Sequence, residues 1–166
     1  MRSVPDCEVT VMMLLGSIHK PLLYLTLSIK CTTENIWCLG WKYFRSSCYY
    51  VSTETKSWNA SRNECLKKGA DLVIVSTDEE QEFLIELNKS IWIGLTDEEE
   101  EGVWKWVDGT TPTKRYWRSQ HPDNAGGENC AAVQNTGSNL SKWNDLPCSH
   151  KLYGVCEKKK PVEEQH

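Results

Sequence analysis

The apolar positions of this chain change period along its length. Trp41-Lys42-Tyr43-Phe44 and Cys48-Tyr49-Tyr50-Val51 are aromatic and β-branched runs around Arg45-Ser46-Ser47, which predicts a hairpin. Ser57 stands where it can cap a helix running through Lys68 and ended by Gly69, with Trp58, Cys65 and Leu66 turned inward. Ala70–Val75 reads as a short strand or extended run. A second helix opens on Thr77-Asp78-Glu79-Glu80, a capping box whose Glu80 reaches back to the Thr77 backbone, with acidic residues suited to the helix dipole. Phe83, Leu84 and Leu87 mark its inner face. From Ile91 the pattern is that of strands: Ile91–Leu95, an alternating Val103–Val107 before the turn Asp108-Gly109, then Ala131–Gln134, Lys142–Asn144 and Leu152–Cys156. Trp92, Trp104 and Trp106 belong to the predicted core, the latter two sharing one strand face. Two early helices and several late strands predict an α+β domain with long loops.

Residues 1–30 follow a different pattern. Two apolar stretches, Val9–Ile18 and Leu22–Ile29, are separated by His19-Lys20-Pro21. A cleaved leader wants basic residues before a continuous apolar core, and a spanning helix wants about 20 uninterrupted apolar residues. Residues 1–30 are therefore expected to be a signal-anchor or a degraded signal, a misjudged start of the chain being the alternative. A polar connector at 31–37 precedes a domain at 38–158 and a polar tail at 159–166.

Composition sharpens the setting. The net charge is −4, and the Lys and Arg residues are scattered, which argues against a nucleic-acid partner. Cys38, Cys48, Cys65, Cys130, Cys148 and Cys156 form no CxxC or CxxH pair, so zinc-finger and thioredoxin spacings are excluded. Dispersed cysteines point to disulfides and an oxidising compartment. Three sequons, at Asn59, Asn88 and Asn139, agree with an extracellular glycoprotein, membrane-anchored in the type II sense or secreted.

The candidate chemistry lies in two loops. His121-Pro122-Asp123-Asn124-Ala125-Gly126-Gly127-Glu128-Asn129-Cys130 is answered downstream by Trp143-Asn144-Asp145. Six side chains there carry oxygen: Asp123, Asn124, Glu128, Asn129, Asn144 and Asp145. Ca²⁺ takes roughly 6–8 oxygen ligands from such groups in flexible loops. Two polar surface loops are the plainer alternative.

Taken in order, Trp41, Cys48-Tyr49, Cys65, Trp92-Ile93-Gly94-Leu95, Trp104-Lys105-Trp106, His121-Pro122-Asp123, Glu128-Asn129-Cys130, Trp143-Asn144-Asp145, Cys148 and Cys156 resemble the C-type lectin-like domain family. The similarity covers roughly residues 38–158 and is nearest the receptor branch of asialoglycoprotein receptors and dendritic-cell mannose lectins. It implies a C-type lectin-like fold and the pairs Cys38–Cys48, Cys65–Cys156 and Cys130–Cys148, a choice that cysteine arithmetic alone leaves open. Cys31 becomes a candidate interchain bridge giving a disulfide-linked dimer; a Cys7–Cys31 pair or a free thiol is the alternative. The resemblance also implies a principal Ca²⁺ site at His121, Asp123, Glu128, Asn144 and Asp145, the same residues meeting the sugar. Pro122 in that motif is typically preceded by a cis bond. An auxiliary Ca²⁺ site would use Asp97, Glu101, Asn124 and Asn129, although the acidic run Asp97–Glu101 reads equally as a solvated loop. His121 is the departure, because imidazole offers nitrogen to a cation that prefers oxygen. Asn129 stands where the family usually has Asp.

The implied function is calcium-dependent binding of glycans on glycoproteins or cell surfaces. The alternative is a calcium-independent domain that binds a protein ligand. Asp123 resembles galactose-type members, but Asn124-Ala125-Gly126-Gly127 lacks the stacking aromatic, so the choice between mannose and galactose types stays open. No nucleophile elbow, HExxH or phosphate loop accompanies these residues, so the chain is not expected to be an enzyme.

Overall fold

The computed structural model describes residues 38–134 and 140–160. The expectations for residues 1–37, for Cys7 and Cys31, for the Asn139 sequon and for most of the polar tail fall outside them.

Among the described residues eight strands and two helices follow one another as β1 (Lys42–Phe44), β2 (Ser47–Lys56), α1 (Trp58–Lys67), β3 (Asp71–Leu72), α2 (Asp78–Glu86), β4 (Ile91–Thr96), β5 (Lys105–Trp106), β6 (Cys130–Val133), β7 (Trp143–Leu146) and β8 (Leu152–Lys159). The sheet order is β1-β2-β8-β4-β6-β7, with β3 on β8 and β5 on β4. All described pairings are antiparallel except β4 with β8. Two helices in the first half of the domain and one mixed sheet make an α+β domain.

Local chemistry explains the element ends. Arg45 and Ser46 alone form the hairpin turn, both at positive φ (50° and 77°), so Ser47 joins β2 rather than the turn as expected. Ser57 caps α1, its side chain accepting from Ala60 N. Thr77 and Glu80 form the capping box of α2. Leu66 is half exposed instead of buried, because the buried stripe of α1 runs through Trp58, Ser61 and Cys65 and the next residue lies about 100° off it. The alternating run 103–107 yields a ladder of only two residues, since the Val103 amide is engaged by Glu100 O in the preceding turn. Gly94 is required: a Cβ there would sit 2.7 Å from Leu72 O and 2.9 Å from Val107 Cγ2.

The core is built on indoles. Trp58, Trp92 and Trp143 are essentially sealed, and Trp104 and Trp106 are buried. Trp58 Nε1 donates to Ile93 O and Trp92 Nε1 to Lys56 O, so these two sealed indoles have their polar edges satisfied, whereas the buried Trp104 Nε1 has no partner among the described residues. Trp143 stacks edge-on with Trp106, Tyr116 and Trp117, and its Nε1 donates to Gln81 Oε1. This ring cluster anchors β7, on which Asn144 and Asp145 lie. Disulfides Cys38–Cys48, Cys65–Cys156 and Cys130–Cys148 tie the hairpin, α1 to β8, and the start of β6 to the end of β7.

Candidate functional site

Antiparallel pairing sets Ala131 opposite Asp145 and Ala132 opposite Asn144, so β6 and β7 hold the two polar loops side by side. Asp145 is fully buried, and its carboxylate organises the loop before β6. Its Oδ2 accepts from the backbone amides of Asp123 (2.8 Å) and Asn124 (2.7 Å), while His121 Nδ1 lies 2.9 Å from Oδ1. The His121–Pro122 bond is cis. Asp123 Oδ1 accepts from Ala125 N, and Asn124 Oδ1 accepts from Glu128 N at 2.6 Å across the Gly126-Gly127 turn. Both glycines are left-handed, at φ 100° and 88°.

The structure thus gathers His121, Asp123 and Asp145, whose ligand atoms all lie within 4.8 Å of one another. Glu128 joins them electrostatically: partial burial, then the charges of Asp145 and Asp123, push its carboxyl above the ordinary carboxylate range. Burial does the same to Asp97, with a further contribution from Asp145. Asp97 Oδ2 accepts from Gly102 N, and its own amide donates to Asn129 O, which also accepts from Thr96 Oγ1. Glu101 is exposed on the turn that this contact closes.

Three oxygens in this region are sealed from solvent without a hydrogen-bond partner: Asp97 Oδ1, Asn129 Oδ1 and Asn144 Oδ1. Asn144 Nδ2, by contrast, donates to Asp145 O. A stranded buried acceptor costs about 1–3 kcal/mol, and three of them near carboxylates that repel one another are oxygens that could hold a cation. The part Asp145 plays in holding the amides of 123 and 124 has no sequence signal, because it depends on β7 lying beside a loop twenty residues upstream.

A two-helix α+β domain whose disulfides bracket a pocket of loop oxygens defines a C-type lectin domain. Residues 54–158 match the family model described as Lectin C-type domain, and the chain belongs to that family of carbohydrate-binding lectins rather than to a family of enzymes. It is 39% identical over 132 residues to C-type lectin domain family 4 member E of Mus musculus, an alignment covering 76% of this chain and 62% of that receptor. The chain spans 50–64% of the length of the curated receptors it matches first. The carbohydrate-recognition domain of the human scavenger receptor C-type lectin is 36% identical, with a TM-score of 0.68 over 79% of this chain and 100% of that one. A calcium-independent type II antifreeze protein shares the fold at 25% identity and a TM-score of 0.66, over 78% of this chain and 94% of that one. Membership of the fold therefore leaves the use of calcium to the loops. Among the described residues no helix is long and apolar enough to cross a membrane.

Proposed function

We propose that this chain is a calcium-dependent carbohydrate-binding lectin. His121, Asp123, Glu128, Asn144 and Asp145 would hold the principal ion and meet the sugar; Asp97, Glu101, Asn124 and Asn129 would hold an auxiliary one. The observation that carries the reading is the set of buried, unpartnered oxygens on Asp97, Asn129 and Asn144 beside carboxyls already pushed up by burial and mutual repulsion. When bound, Ca²⁺ supplies positive charge and open coordination positions for vicinal sugar hydroxyls. The protein's own part is to fix the donors: Asp145 holds the loop by two amides, Asn124 holds Glu128, and Gly102 holds Asp97. Glycans on glycoproteins or cell surfaces are the proposed partners, met by an extracellular domain. Asn59 and Asn88 are exposed, which supports reading them as glycosylated.

Calcium calorimetry on the whole chain, followed by a glycan array with and without EDTA, tests the proposal. Glycan binding is expected to require calcium and to be abolished in Glu128→Gln and Asp145→Ala. Binding that persists in EDTA, or in both variants at saturating calcium, overturns it.

A second reading, a calcium-independent domain for a protein ligand, draws on the closed state of Asp145. Both its carboxylate oxygens already face protein donors or the His121 ring. Thermal stability indifferent to millimolar calcium and to EDTA would favour it.

A further inference from the structure

Among the described residues His121 brings the one ring nitrogen to a pocket otherwise made of oxygens, and its geometry is specific. Nδ1 lies 2.9 Å from Asp145 Oδ1 and 3.6 Å from Asp123 Oδ2. The ring is largely enclosed, with 18% of its side-chain surface exposed, and the Asp145 side chain is fully buried. Donors around a tetrahedral ion with bonds of about 2.0–2.2 Å stand roughly 3.3–3.6 Å apart, so both separations from His121 Nδ1 lie within a few tenths of an ångström of that spacing. The supporting contacts are already formed: Asp145 Oδ2 is held by the amides of Asp123 and Asn124, and Asp123 Oδ1 accepts from Ala125 N, which fixes the direction in which each carboxylate offers its other oxygen. Beside Asp145, Asn144 is buried with 6% exposure and its Oδ1 has no partner.

We propose that His121 converts this end of the lectin pocket into a site for a borderline transition-metal cation of the Zn²⁺ class, bound by His121 Nδ1 with the Asp123 and Asp145 carboxylates and excluding Ca²⁺ while it is there. The chemical reason is donor softness. Ca²⁺ is a hard ion served by oxygen, whereas imidazole suits zinc and its neighbours, and mixed nitrogen and oxygen sets are ordinary for them. A single ring nitrogen therefore changes which cation the same two carboxylates prefer. Glu128, near enough for the charges of Asp145 and Asp123 to push its carboxyl up, is the further carboxyl able to complete the set. The inference rests on reading these loops as a cation site. It adds that zinc competes with calcium there, and so with sugar.

The experiment is calorimetric titration of the whole disulfide-bonded chain with Zn²⁺ alone, Ca²⁺ alone, and each against the other, on wild type and His121→Gln. Visible absorption of the Co²⁺-loaded proteins reports nitrogen ligation and tetrahedral geometry directly. Wild type is expected to bind Zn²⁺ at least about tenfold tighter than Ca²⁺, and His121→Gln to lose about tenfold or more in zinc affinity while calcium affinity rises, because the Gln carboxamide supplies an oxygen. The tetrahedral Co²⁺ bands are expected in wild type and absent from the variant. Zinc affinity and Co²⁺ spectra equal in the two proteins would place the binding at another of the four histidines, and would overturn the inference. So would a wild type that binds calcium without zinc competition, which leaves the calcium reading standing. Zinc binding lost in the variant, with no calcium isotherm in either protein, supports the inference and sinks the calcium reading instead. A circular dichroism spectrum shared by both proteins excludes misfolding as the cause of the loss.

Discussion

The domain contains two clusters of buried acidic and polar groups, and they are built in opposite ways. Glu80 and Glu157 sit between α2, β2 and β8. Glu80 Oε2 accepts from Ser76 N, Ser76 Oγ and Thr77 N; Glu157 accepts from Ser47 Oγ at one oxygen and Ile74 N at the other. The Tyr49 hydroxyl stands between them, 3.2 Å from Glu80 and 3.5 Å from Glu157. Burial pushes the Tyr49 hydroxyl and the Glu157 carboxyl up, yet each carboxylate oxygen there has a donor. In the loop region, by contrast, Asp97, Asn129 and Asn144 each bury an oxygen that has none. A fold that satisfies one buried polar cluster completely is able to satisfy another. The difference teaches that the first cluster is cement, and on the proposed calcium reading the second is a socket whose partner would come from outside the chain.

The largest expected effect tests whether the cement half is independent of the socket. Cys65 and Cys156 are 91 residues apart, and removing their bridge as Cys65→Ala/Cys156→Ala is expected to cost about 4–5 kcal/mol in urea unfolding, with or without calcium. A cost that appears only with calcium present would mean that the two halves are coupled.

Calcium itself comes next. Binding to the folded loops is expected to stabilise the protein by about 2.7 kcal/mol at 100 times the dissociation constant, and EDTA should remove that gain. Matched melting temperatures in the two conditions would break the distinction at the socket.

Glu80→Ala strands the Ser76 hydroxyl and the amides that open α2, and is expected to cost roughly 2 kcal/mol. Chemical denaturation should give the same loss in calcium and in EDTA, since nothing in this cluster faces the loops. A calcium-dependent loss would place Glu80 in the socket after all.

The smallest effect is the sharpest. In EDTA, Asn129→Ala removes an unpartnered acceptor and is expected to stabilise the domain by about 1 kcal/mol, the lost packing offsetting part of the gain. With calcium added, the same variant should fall short of the wild-type gain. A large loss in EDTA would show that the oxygen has a partner within the protein.

The sequence by itself determined what neighbouring residues decide among themselves. The Ser57 cap and the Thr77/Glu80 box place two helices because a side chain three residues from an amide is always within reach of it. Aromatic and β-branched runs place β1, β2 and β4 for the same local reason, and the two polar loops were legible as a store of oxygen donors. Local pattern misjudged Leu66, whose direction depends on which stripe of α1 meets the sheet, and the length of β5, which a preceding turn cut short. Only the tertiary structure decided the rest. Pairing β6 with β7 carries Asp145 to the amides of 123 and 124 and to the His121 ring, contacts spanning 21 to 24 residues of sequence. Whether a buried oxygen has a donor is likewise settled by what lies across from it in space. Glu80 and Asp97 are both acidic residues beside a chain turn, and folding alone made one a closed cap and the other half of an open socket.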